Sequence, residues 1–170
     1  MGGVWAGAVK LADAFALSVD FHSPSSLPDG ADGTERLTLD HADAYATLPY
    51  GNLFRYEGLP FGCSVERMQF VPEGLPALAV AYHFHNPGDQ PVSLDLRFSV
   101  RFDLMPSWLS GGKGIRDGKD ALSSGTMLVC RDESNPWTAH CAASVPAKSV
   151  RGEKGELKSP GNGCTGALLS

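Results

Sequence analysis

Charge is scarce in this chain. Asp, Glu, Lys and Arg make up 19% of its 170 residues, and the 14 Lys and Arg are scattered. That excludes the basic stripe with which a protein grips nucleic-acid phosphates. The formal net charge of −5 serves solubility. Long apolar runs are missing too; none approaches the ~18 residues of a membrane helix. The opening, Met1 to Lys10, lacks the basic start and apolar stretch of a secretory leader, so a cytoplasmic location is expected. Cysteine is limited to Cys63, Cys130, Cys141 and Cys164. None of these pairs has the short spacing of a zinc knuckle or redox motif, and a disulfide framework is not expected; free thiols are. Cys130 and Cys141 fall in neighbouring predicted strands and could meet. No G-x-S-x-G, H-E-x-x-H or Walker loop occurs, and no cofactor is expected. Gly111-Gly112-Lys113-Gly114 has neither the phosphate-loop spacing nor a following helix, and reads as a flexible loop.

Helical periodicity is almost absent as well; its one candidate, Val9–Ala16, is better read as strand. Turn formers are abundant, with 20 Gly and 12 Pro. Between them the chain alternates. From Val92 to Leu104 every even position is apolar and every odd one polar, which describes a long strand with one dry face. Leu78, Val80, Tyr82 and Phe84 alternate in the same way with Ala79, Ala81 and His83. The loop Asn86 to Pro91 between these two runs predicts an antiparallel hairpin over 77–104. Further strands are predicted at Phe15–Val19, Arg36–Leu39, Ala44–Leu48, Leu53–Tyr56, Cys63–Val71, Thr126–Arg131 and Trp137–Ala143. In Cys63–Val71 the apolar parity changes between Val65 and Met68, which predicts either a bulge or burial on both faces. The class is all-β, with a two-sheet antiparallel β-sandwich as the leading architecture. Residues 1–146 read as that domain, and 147–170 as a flexible loop or tail ending in the start of a strand.

Catalytic constellations are hard to find. Asp95 and Asp103 stand on the wet face of the long strand, ~26 Å apart at strand rise, too far for paired carboxylates, and read as surface residues. Asp40-His41-Ala42-Asp43 reads as turn capping, with a weak metal site as the alternative. His83 and His85 share a strand face without a visible third ligand. The aromatics Trp5, Tyr50, Trp108 and Trp137 lie at or near strand ends or loops. There a flat ring can stack on a sugar, cap the core or meet a neighbouring domain. Trp108 leads, because Pro106 and the glycines after it take it out of regular sheet.

Three segments carry a resemblance. They are Gly3-Val4-Trp5-Ala6-Gly7-Ala8-Val9-Lys10-Leu11-Ala12-Asp13-Ala14-Phe15, Gln69-Phe70-Val71-Pro72-Glu73-Gly74, and the run from Asn86-Pro87-Gly88-Asp89 to Arg101-Phe102-Asp103-Leu104-Met105-Pro106-Ser107-Trp108. The chain resembles the N-terminal domain of bacterial glycogen-debranching-type, amylo-α-1,6-glucosidase-like glycoside hydrolases. The resemblance implies a large β-sandwich that packs on an (α/α)6 catalytic barrel and lends loops to the rim of an α-glucan cleft. In such enzymes the catalytic carboxylates belong to the barrel, so the resemblance assigns no catalytic residue and no metal ligand here.

Overall fold

The computed structural model describes residues 3–22, 34–106, 119–124, 127–153 and 164–169. Its ordered elements are strands, apart from one 3-10 turn at Pro60–Gly62. The fold is all-β and sandwich-like, built of antiparallel sheets as the alternation predicts. Among the described residues no helix is long and apolar enough to cross a membrane. The chain divides into two compact units, residues 1–16 with 97–170, and residues 17–96. Strands β2 (Val9–His22) and β8 (Ser93–Pro106) contribute residues to both.

The first unit begins with β1 (Val4–Ala6), which turns back on β2 around Gly7 and Ala8. Gly7 has φ of 58°, and the left-handed conformation at the first central position is the signature of a II′ hairpin turn. The pairing then slips: Trp5 faces Lys10 but Val4 faces Ala12, leaving Leu11 as the extra residue of a bulge. The strands β9 (Asp120–Ser124), β10 (Leu128–Asp132) and β11 (Thr138–Cys141) form a three-stranded sheet ordered β11-β10-β9. Leu128, Cys130 and Ala139 from this sheet share a core with Ala12, Val100, Phe102 and Leu104. The even-numbered face of β8 is therefore dry in this unit, as its alternation predicts. Residues 147–170, expected to be a flexible loop or tail ending in the start of a strand, supply β12 (Ser149–Glu153) and β13 (Cys164–Leu169), and β13 pairs with β8.

The second unit contains β3 (Thr34–Thr38), β4 (Ala44–Leu48), β5 (Gly51–Tyr56), β6 (Ser64–Phe70) and β7 (Ala79–His85). β3 pairs with the end of β2, turning Val19 and Leu37 to one face. On the other face runs a polar ladder: Ser18 to Thr38 at 3.0 Å, Arg36 to Asp20 at 2.5 and 2.7 Å, and His22 to Thr34 at 3.0 Å. The remaining strands make a meander, β4-β5-β6-β7. Leu17, Val19, Phe21, Leu39, Tyr56, Cys63 and Val65 are buried, and the Tyr56 hydroxyl donates to the Leu39 carbonyl at 3.2 Å.

The 77–104 hairpin is a correction. β7 pairs with β6 and lies at the edge of the meander, whereas β8 lies between β2 and β13. The loop between them does turn; Asn86 accepts from Gly88 N at 3.0 Å and donates to the Gln90 carbonyl at 2.8 Å. Turn chemistry reverses the chain but does not choose the strand it rejoins. Nor does β6 bulge. Its register is unbroken from Phe70↔Ala79 to Ser64↔His85, so its change of parity records apolar side chains on both faces.

Gly51 holds β5 close to β6, because a Cβ there would overlap the Gln69 carbonyl oxygen and press on Phe70. Gly51→Ala is expected to cost about 1–3 kcal/mol through this overpacking. Urea unfolding of the variant beside the parent chain checks it, and unchanged stability refutes the close approach.

Candidate functional site

The meander places side chains by register. Tyr45 faces Phe54, Phe54 faces Arg67, and Arg67 faces Tyr82, one row across all four strands. The next row is Thr47, Asn52, Gln69 and Val80. Tyr45 is 59% exposed, while Phe54, Arg67 and Tyr82 are half-buried. The Tyr45 and Phe54 rings lie 5.0 Å apart, tilted by 48°. The Arg67 guanidinium carbon sits 4.0 Å from the Phe54 ring centre and 5.6 Å from that of Tyr56. Around Tyr45 the polar groups interlock: its hydroxyl donates to Asn52 Oδ1 at 2.9 Å and accepts from Thr47 Oγ1 at 3.1 Å. Burial pushes the Tyr82 phenol up to about 12, against the opposing pull of Arg67 beside it. No well-directed hydrogen bond joins the pair, and both Tyr82 Oη and Arg67 Nε are enclosed without a partner. Exposed rings beside amides and hydroxyls are the chemistry that holds a sugar, whose C–H face stacks and whose hydroxyls hydrogen-bond.

The opposite face of the meander is apolar. Its rows are Leu48-Gly51-Phe70-Ala79 and Ala46-Leu53-Met68-Ala81, closed at one end by the exposed Arg55–Glu66 pair at 2.8 Å. Leu48, Met68, Val71 and Leu75 are exposed.

A second constellation lies in the first unit. The bulge in β2 turns Lys10 and Asp13, three residues apart, into one cluster with Arg101 and Asp103. Lys10 Nζ bonds Asp103 Oδ2 and Asp13 Oδ1, the latter at 2.8 Å, and Arg101 Nε stands 3.0 Å from Asp13 Oδ2. Asp103, expected on the surface, is buried because Lys10 meets it there. Partial burial disfavours the charge on Asp13, but Lys10 and Arg101 outweigh it and hold the carboxyl below its ordinary value. Burial likewise opposes the Lys10 charge, and Asp103 and Asp13 outweigh it, raising the ammonium above its ordinary value. A carboxylate kept ionised is a poor general acid, and an amine kept protonated is a poor base or nucleophile. The quartet is a clamp between β2 and β8.

A third grouping joins Asp95, His22 and Thr34. His22 Nε2 lies 2.9 Å from Asp95 Oδ2, and Nδ1 lies 3.0 Å from Thr34 Oγ1. The connectivity resembles a proton relay, but Thr34 holds the regular cross-strand position opposite His22 and continues the polar ladder of β2 and β3. Asp95 is thus a hydrogen-bonded partner as well as a half-exposed surface residue.

The aromatics named from sequence scatter. Tyr50 stands 87% exposed at the tip of the β4–β5 turn. Trp137 packs against the core of the first unit, and Trp5 is half-buried on β1 beside Gly3. Trp108 lies outside the described residues. Asp43 accepts from Glu57 N at 2.7 Å, as a turn cap does, and His41 pairs with Asp40 at 3.0 Å in the open. His83 faces Glu66 across the sheet. Among the described residues no group of His, Cys, Asp or Glu could hold a metal. Cys63 and Cys141 are free thiols. Cys130 pairs with Ala139, two residues short of Cys141, which faces Leu128, and burial pushes the Cys141 thiol up to about 11. Searches of family models, curated proteins and solved structures return no match to this chain.

The quartet yields a stability prediction. Lys10→Met strands a buried Asp103 carboxylate and is expected to cost about 3–5 kcal/mol, whereas Lys10→Met with Asp103→Leu recovers most of the loss. The lowered Asp13 value contributes stability that is present above the ordinary carboxylate range and lost as pH falls through the folded value. The raised Lys10 value contributes stability present below the ordinary lysine value and lost as pH rises through the folded one. Urea titrations at acid, neutral and alkaline pH read both arms; equal pH dependence in the double variant counts against the clamp.

Proposed function

We propose that this chain is a non-catalytic β-domain of a glycogen-debranching-type α-glucosidase, which supports an (α/α)6 catalytic barrel and contacts α-glucan in the cytoplasm. The observation that carries the reading is the row from Tyr45 to Arg67 with Thr47, Asn52 and Gln69 beside it. Rings and amides stand together on one sheet face, as a glucan chain requires. The resemblance of the chain around Arg101 to Trp108 points the same way, and Tyr50 extends the aromatic surface at the adjoining turn. Titration with maltohexaose, followed by intrinsic fluorescence, tests it. Millimolar binding is expected, falling roughly tenfold or more in Tyr45→Ala while the fold is retained. Absence of binding at that concentration, or binding indifferent to Tyr45, sinks the glucan contact.

The apolar back of the meander favours a second element of the same reading, a protein-interaction surface. Leu48 and Met68, with the exposed Ala46 and Ala81 in their rows, leave water-exposed apolar area of the kind a partner domain covers. A chain without that partner is expected to self-associate as its concentration rises, and Met68→Glu is expected to suppress this. Sedimentation of the two proteins checks it; a parent chain that stays monomeric at high concentration refutes the interaction surface.

A further inference from the structure

We infer that the Tyr45–Arg67 row binds an acidic saccharide, a sugar chain bearing a carboxylate or phosphate group, with Arg67 receiving the anion. The inference rests on the sugar-contact reading above and narrows its ligand class. Among the described residues Arg67 has no ion pair; its guanidinium lies against the Phe54 and Tyr56 rings and beside the Tyr82 hydroxyl. Its Nε is enclosed, while the residue as a whole is half-buried and not shut off from solvent. Other side chains that register places on this face of the four strands are uncharged, from Tyr45 and Asn52 to Gln69 and Tyr82. Asp40, beyond Tyr56, is already engaged by His41 at 3.0 Å. Glu66, next to Arg67 in sequence, points to the other face and pairs with Arg55.

A neutral glucan offers this cation only hydroxyls. An oxyanion offers a planar or trigonal set of acceptors that matches the fork of an arginine. The Phe54 ring, 4.0 Å from the guanidinium carbon, helps to hold that fork in place. Phe54 lies between the two, 5.0 Å from the Tyr45 ring and 4.0 Å from the Arg67 guanidinium carbon, so a ligand stacked at Tyr45 has the cation within reach of an acid group on the same or the next sugar unit.

Calorimetric titration of the full chain with maltohexaose, a phosphorylated maltooligosaccharide, an oligouronate and inorganic phosphate tests this. At least one acidic oligosaccharide is expected to bind roughly tenfold or more tightly than maltohexaose, the worth of a charge-assisted hydrogen bond. Which one binds tells phosphate from carboxylate. Arg67→Gln is expected to bring that ligand down to the affinity of maltohexaose. The preference in the parent chain is also expected to shrink as salt is raised, a readout that needs no variant. Equal affinity for neutral and acidic chains overturns the inference while leaving the glucan contact standing. So does a preference that survives Arg67→Gln or is insensitive to salt. Inorganic phosphate binding as tightly as any oligosaccharide also overturns it, since the site would then hold an anion without a sugar. No binding by any oligosaccharide ends both readings.

Discussion

Cross-strand register is the constraint on which this structure depends. In an antiparallel sheet a slip of one residue sends every side chain of a strand to the opposite face. Three successive pairings must hold for Tyr45, Phe54, Arg67 and Tyr82 to stand in one row, and all three run unbroken. The devices that hold them are local. A two-residue turn at Pro49 and Tyr50 sets β4 against β5, and Gly51 lets β5 close on β6. Phe84, opposite the buried Val65, locks β7 to the same count. The row is thus a consequence of spacing, with no residue in it placed by a loop.

The first unit uses the opposite device. There a bulge at Leu11 breaks the count, and the break lets Lys10 and Asp13 act together. Without it, two residues three apart on a strand would point to opposite faces. The carboxylate of Asp103 can be buried on the polar side of β8 because the bulge delivers an ammonium to it. One irregularity in pairing therefore accounts for a buried charge that alternation assigns to the surface.

This contrast explains what was legible in the residues themselves. Strand existence was, since Ala44–Leu48 and the faces of Val80, Tyr82 and Phe84 follow from period-2 patterning alone. Partner choice was not. β7 and β8 alternate cleanly and are joined by a good turn, yet they enter different sheets, because each buries its apolar face against a different surface. β12 was invisible because Arg, Lys, Glu and Gly dominate residues 147–163 and the strand preference of Val150 is lost in that average, whereas β13 was legible only as the start of a strand at the last residues. The Tyr45–Arg67 row escaped notice for a related reason. Tyr45, Phe54 and Arg67 are far apart in the chain and unremarkable singly, and only the register joins them. A pairing of the alternating runs 44–48, 51–56 and 64–70 through their short connections was the available signal.

Among the described residues several of the chain's cations are paired with acids, and Arg67 is not. Arg36 meets Asp20, Arg55 meets Glu66, Arg101 meets Asp13, and Lys10 meets two carboxylates. Each of those cations sits where register or a bulge brings an acid beside it. Arg67 occupies an equally determined position, with Phe54 on one side and Tyr82 on the other, and no acid on its face. Packing alone would be served by an aliphatic residue such as Val65, two positions earlier on the same strand and face. A guanidinium there gives up hydration at Nε and recovers ring attraction, worth about 0.5–2 kcal/mol. That exchange roughly balances the enclosed nitrogen and adds little to stability. What the arginine adds beyond a valine is a fixed positive charge on a half-buried residue, on the face where the exposed aromatic ring also stands.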